Sequence, residues 1–97
     1  MRTNGVNIEG TGLQGYVVAT RKELEKAFGK PTRFEGADKV TTQWAIEEGG
    51  IIATLYDYKE GRAPKANESY RWHIGGKSDW ALKLVEKYLS KPTVSIR

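Results

Sequence analysis

The chain is predicted to be an α+β domain: a sheet of at least three antiparallel strands, with two short helices packed on one face, in the order β-α-β-β-β-α. Three observations carry this. Val40 to Tyr58 holds two runs of alternating residues separated by Glu47-Glu48-Gly49-Gly50, the pattern of a hairpin. Thr20-Arg21-Lys22-Glu23 and Ser78-Asp79 each precede a stretch whose apolar residues recur at helical spacing. The strands follow one another in the chain with helices at either end, which sets the helices against one side of a common sheet.

Met1 to Asn4 reads as a frayed start. Val6-Asn7-Ile8 and Tyr16-Val17-Val18 are each candidate short strands, and Gly10, Gly12 and Gly15 suggest a bend or bulge where backbones come close. The first helix is expected over Arg21 to Phe28. Thr20 and Glu23 form its capping box, Leu24, Ala27 and Phe28 share its apolar face, and Gly29 and Pro31 end it. In the hairpin, pairing Glu47 with Gly50 sets Ile46 against Ile51, Trp44 against Ala53 and Thr42 against Leu55. This is the expected buried face. The other face carries Thr41, Gln43, Ala45, Ile52, Thr54, Tyr56 and Tyr58, a mixed set.

Lys59 to Ser69, with Gly61, Pro64 and Asn67, reads as an exposed loop. Tyr70 to Ile74 is the third hairpin-type strand, with Tyr70, Trp72 and Ile74 on one side and Arg71 and His73 on the other. Gly75-Gly76 ends it. Ser78 is expected to cap the second helix, with Asp79 well placed near its N-terminus. Ala81, Leu84, Val85 and Tyr88 form that helix's apolar stripe, joined by Trp80. Ser90 to Arg97 is an extended tail whose Val94 and Ile96 alternate as an edge strand would.

The 97 residues suit one domain, 1–97. A domain of this size buries little more than ~60% of its unfolded surface, so the core is thin. With only 38% hydrophobic residues but three Trp, five Tyr and two Phe, that core is expected to centre on indole rings. The absence of Cys excludes disulfides and Cys-based zinc sites, and for so small a domain it points to a reducing, cytoplasmic compartment. Met1 followed directly by ordinary sequence, with no apolar leader, leads to the expectation of a complete small gene product without a signal peptide. No apolar run reaches the ~18 residues of a membrane span, so no membrane association is expected. Sixteen basic residues are mixed with twelve acidic ones for a net charge of +4, which fits an ordinary soluble surface and mildly favours anionic partners.

Three local patterns stand together: Glu9-Gly10-Thr11-Gly12-Leu13-Gln14-Gly15-Tyr16, Ala53-Thr54-Leu55-Tyr56-Asp57-Tyr58 and Trp72-His73-Ile74-Gly75-Gly76. With Phe28-Gly29-Lys30-Pro31 between the first two, the chain from about Gly10 to Leu89 resembles a group of small proteins of tailed bacteriophages and prophages. Gly12 and Tyr58 stand where that group usually has Ser and Trp. The resemblance implies a phage accessory protein acting in the cytoplasm of the infected bacterium by binding, and inhibiting, a host macromolecule, defence systems included. A fainter likeness connects the helix, F-G-x-P turn and antiparallel sheet with small inhibitor modules of the β-lactamase-inhibitor-protein type.

The residues themselves offer several chemistries. His73 is the only histidine, and with Asp57 and a Ser or Thr it supplies the residue types of a triad, but no nucleophile elbow accompanies it. The expectation is therefore no enzyme, with His73 a strand residue. A metal site would have only His73 and carboxylates to draw on, and neither an EF-hand loop nor a His-x-x-x-His pair is present, so neither metal nor other cofactor is expected. Gly75-Gly76-Lys77-Ser78 at a helix start suggests an anion or nucleotide site, although Arg71 stands where the first Gly of a P-loop would fall. The simpler reading is a tight strand-to-helix turn. Arg33, Lys39, Lys59, Arg62 and Arg71 beside Tyr56 and Tyr58 would suit a nucleic acid. Tyr56, Tyr58, Arg71 and His73 on one sheet face would suit a host protein, since Tyr and Arg are common anchors of interfaces. The opposing expectation is that a helix covers this face and the tyrosines are core.

Overall fold

The computed structural model describes residues 1–31, 40–58 and 62–97. Five strands and two helices follow in the order β1 (Gly12–Thr20), α1 (Arg21–Phe28), β2 (Gln43–Glu48), β3 (Ile51–Tyr56), β4 (Ser69–Gly76), α2 (Trp80–Leu89) and β5 (Val94–Ser95). All neighbours in the sheet are antiparallel, and the strand order is β2-β3-β4-β1-β5. The α+β expectation with helices on one face holds, and the tail supplies the fifth strand.

The first helix begins and ends where the capping pattern sets it. Thr20 Oγ1 accepts from the Glu23 amide at 3.1 Å, and Glu23 Oε1 accepts from the Thr20 amide at 2.9 Å. Each satisfies an amide that the helix leaves open. Leu24 and Phe28 are buried beneath it. They meet Ala81, Leu82, Leu84 and Val85 of α2 and the inward residues Val17, Ala19, Trp44, Ile46, Ala53, Leu55, Trp72 and Ile74. The indole rings of Trp44 and Trp72 stand edge to face at 5.3 Å, a geometry that suits the ring quadrupoles. Both of these indole N–H groups are satisfied: Trp72 Nε1 donates to Ala19 O at 3.0 Å inside the core, and Trp44 Nε1 to Gly29 O at 2.8 Å at its margin.

Several local expectations are corrected. The hairpin closes at Glu48 and Ile51, so Ile46 lies opposite Ala53, Trp44 opposite Leu55 and Gln43 opposite Tyr56. Gly49 and Gly50 both hold positive φ, 58° and 81°, as a two-residue turn requires, so the turn sits on Gly49-Gly50 rather than on Glu48-Gly49. The slip is two residues, so every side chain keeps its expected face. β2 starts at Gln43 rather than Val40, because the Thr41 and Thr42 amides donate to the Asp57 carboxylate at 2.8 and 2.9 Å. The start of the chain is not frayed. Arg2 and Glu47 exchange backbone hydrogen bonds of 2.8 and 2.9 Å and add a 3.0 Å ion pair. Val6-Asn7-Ile8 is not a strand.

At the second helix Asp79, not Ser78, holds the N-cap position and makes no side-chain cap. The Ser78 hydroxyl instead accepts from the Trp80 amide at 3.3 Å. Trp80 does not join the apolar stripe. It lies on the solvent side of the first turn, 62% exposed. After α2, Ser90 takes the left-handed conformation and Glu86 accepts from the Thr93 amide and hydroxyl at 3.1 and 3.0 Å. That clamp turns the tail back so that Val94 pairs with Tyr16 and Ser95 with Gly15. The bulge expected near Gly15 is present, and a Cβ there would sit 2.2 Å from Val94 O.

A candidate interaction surface on the second sheet face

The outward face of the sheet is built by period-two alternation: Tyr16 and Val18 on β1, Arg71 and His73 on β4, Ile52, Thr54 and Tyr56 on β3, and Gln43 and Ala45 on β2. Registry makes one continuous row of these. Gln43 pairs with Tyr56, Tyr56 with His73, His73 with Tyr16 and Tyr16 with Val94, so the row crosses all five strands. At ~4.8 Å per strand it spans about 19 Å.

Three tyrosines surround the single histidine. Tyr56 stacks on His73 at 5.2 Å and 25°, Tyr16 meets it edge on at 5.1 Å, and Tyr58 meets it tilted at 5.6 Å. Rings on adjacent strands can approach this closely at a small angle only if they stand upright on the sheet. The stacked Tyr56 and His73 rings therefore face each other rather than the solvent, and His73 Nδ1 is itself buried. The Arg71 guanidinium lies 4.1 Å above the Tyr16 ring, in cation–π geometry. Arg71 is exposed, Tyr58 is 39% exposed, and Tyr16, Tyr56 and His73 are half-buried. Burial raises the Tyr56 phenol above its usual pKa, with Tyr16 and Tyr58 adding to the effect, so at neutral pH it is a hydroxyl donor.

Among the described residues no helix lies on this face, so Tyr56, Tyr58, Arg71 and His73 do come together and are not sealed beneath α1 or α2. Tyr16 belongs with them and was missed. Its partner across the row is set by the pairing of β1 with β4, strands far apart in the chain. The signal that could have found it is the Gly15-Tyr16 step itself, which puts Tyr16 on the face opposite Val17. The β2 end of the face is different. Gln43, Ala45, Ile52 and Thr54 are buried there, and Ile8, Thr11 and Val40 line the same depression as Gln43, Thr54 and Tyr56. Ile8 and Thr11, from the segment before β1, thus flank this end of the face expected to be open.

The remaining candidate residues have structural partners. Asp57 is fully buried, and its carboxylate accepts from the Thr41 and Thr42 amides and the Thr41 hydroxyl, so it anchors the entry to β2 and is not aimed at His73. At Gly75, Gly76, Lys77 and Ser78, the residues expected to bind an anion, the two glycines are required by packing. A Cβ on Gly75 would lie 2.4 Å from Thr54 Oγ1, and one on Gly76 would lie 2.5 Å from the Ala81 Cβ. The amides of Trp80, Ala81 and Leu82 already donate to Ser78 Oγ, Ser78 O and Asp79 O. Arg62 forms a bidentate pair with Glu68, both bonds 3.0 Å, beside Tyr70. Arg33, Lys39 and Lys59 lie outside the described residues. Among the described residues no three His, Asp or Glu side chains gather as metal ligands would, and no helix is long and apolar enough to cross a membrane.

Fold and surface together define a class: an α+β domain with a five-stranded antiparallel sheet, helices on one face and an upright tyrosine–histidine row capped by an arginine on the other. No family model, curated protein or solved structure matches the chain.

Proposed function

We propose that this is a phage accessory protein that acts without catalysis, in the cytoplasm of the infected bacterium, by binding and inhibiting a host protein through Tyr16, Tyr56, Tyr58, Arg71 and His73. The observation that carries the reading is the aromatic–cationic row on the helix-free face, where Tyr and Arg side chains of the kind that anchor interfaces are clustered at the surface. The phage context rests on the three sequence patterns and not on the geometry. Among macromolecules, a protein suits the row better than a nucleic acid. Single strands stack on ring faces turned outward, whereas Tyr56 and His73 face each other and Tyr16 is roofed by Arg71.

The test is alanine substitution at Tyr56, Tyr58 and Arg71 together, followed by affinity purification from the host with the intact chain as reference. The expected result is loss of the captured partner with an essentially unchanged melting temperature. Capture undiminished by the triple substitution removes the surface from consideration. Retention of single-stranded DNA at ~50 mM salt, falling steeply as salt rises, would favour a nucleic acid instead.

A further inference from the structure

The row ends at β1 and β5 in a groove of about 400 Å³, with Tyr16, Val18, Pro92 and Val94 as its apolar walls and Arg71 and Lys91 at its rim. Val18 is 58% and Val94 66% exposed, unusually open for valines on a strand face. Arg71 is the cross-strand partner of Val18. Its guanidinium is held over Tyr16, and among the described residues it forms no ion pair, whereas Lys91 is joined to Glu23 at 3.1 Å. An apolar trough with a positioned cation at its side, uncompensated among the described residues, is therefore the local chemistry.

We propose that the groove takes an acidic, extended segment of the partner protein, which lodges one large apolar side chain against Val18, Pro92 and Val94 and sets a carboxylate on Arg71. This rests on the reading of the row as a protein-binding surface and specifies what that protein presents. The guanidinium fork matches a carboxylate with two parallel hydrogen bonds, and stacking on Tyr16 already restricts its motion, so little further order is lost on pairing. The adjoining phenols supply hydroxyl donors, which also call for acceptors on the partner. The net charge of +4 adds attraction at longer range. A basic segment would face Arg71 with like charge. A phosphate backbone needs a track of cations, and among the described residues of the rim Lys91 is already paired with Glu23.

The experiment titrates the full chain with capped pentapeptides while following backbone amide resonances. The first peptide has Phe flanked on each side by Asp and Glu. The second has Lys in place of every acid, and the third keeps the acids with Gly in place of Phe. The expected result is that the first peptide shifts Tyr16, Val18, Arg71 and Val94, and that the other two bind weaker by roughly tenfold or more. Arg71→Glu should weaken the first peptide by a similar factor and improve the Lys peptide. Val94→Asp, at an exposed site, should weaken the first peptide with the fold intact. Equal binding of the acidic and basic peptides, shifts confined to other residues, indifference to Arg71→Glu, or displacement of the peptide by oligothymidylate at the same residues each overturns the proposal. If the alanine triple variant loses its host partner while these peptide results fail, only the acidic partner chemistry falls. If that variant keeps its partner, the surface itself falls.

Discussion

Two neighbouring side chains on β4 show how the sheet divides its labour. Trp72 points to the helices, is fully buried, touches Trp44 and Tyr70 edge to face, and has its one donor engaged by Ala19 O. His73, the next residue, points the other way and stands half-buried among Tyr16, Tyr56 and Tyr58. Both faces are aromatic, so aromatic content alone does not separate core from surface. What separates them is the cover. One face is roofed by α1 and α2, and its polar atoms are matched inside. The other keeps phenols and a guanidinium at the solvent edge, where a partner could use them.

The contrast can be broken most severely from the dry side. Trp72→Ala removes two edge-to-face contacts and the bond to Ala19 O, and should cost about 3–5 kcal/mol by chemical denaturation, a large share of the stability of so small a domain. Asp57→Ala leaves the buried Thr42 amide and the part-buried Thr41 amide without their acceptor and should cost about 2–3 kcal/mol in the same measurement. Gly76→Ala forces a methyl against the Ala81 Cβ and the backbone oxygens of Ile52 and Ser78, with an expected loss of about 1–3 kcal/mol.

A smaller effect is expected from acid. Hydrogen bonds from Lys87 and Tyr88 hold the Glu48 carboxyl down to about 2, and Arg62 with the Lys65 amide holds Glu68 at about 2. The Thr93 amide and hydroxyl lower Glu86, and the Thr20 amide and Lys91 lower Glu23. A carboxyl lowered by folding contributes fully above its unfolded value of 4.5 and loses that contribution as pH falls towards the folded value of about 2. The melting temperature should therefore be flat from neutral pH to about 5 and decline below it. A curve flat down to pH ~2 would show that these surface pairs are screened to nothing. Least affected should be the outward row: Tyr58→Ala with Arg71→Ala is expected to change stability by no more than about 0.5–1 kcal/mol. A loss as large as that of Trp72→Ala would erase the distinction between the faces.

Much of this division is legible along the chain because it depends on near neighbours. The Thr20–Glu23 box, the paired glycines of the hairpin and the alternation through Trp44, Trp72, Tyr56 and His73 are short-range patterns. A register slip of two residues left them undisturbed, since a strand's side chains repeat with that period. Asp57 was legible as a residue but not as a clamp, because its amide partners Thr41 and Thr42 lie across the hairpin. Trp80 was misplaced for a related reason: helical spacing admits it to the edge of the stripe, and only the seating of α2 on the sheet turns it outward.

Residue order along the chain was thus enough to place both helices and the central strands and to show which side of those strands is apolar, because these follow from backbone periodicity and local hydrogen bonding; it wrongly offered Val6-Asn7-Ile8 as a strand. It did not settle that β1 lies between β4 and β5, that Tyr16 completes the ring around His73, that Arg2 binds β2, or that Ile8 and Thr11 line a depression with Gln43, Thr54 and Tyr56. These depend on contacts between residues distant in sequence. Their selection is made by the packing of the whole domain, where many alternative pairings are locally acceptable and one buries both indoles with their donors satisfied.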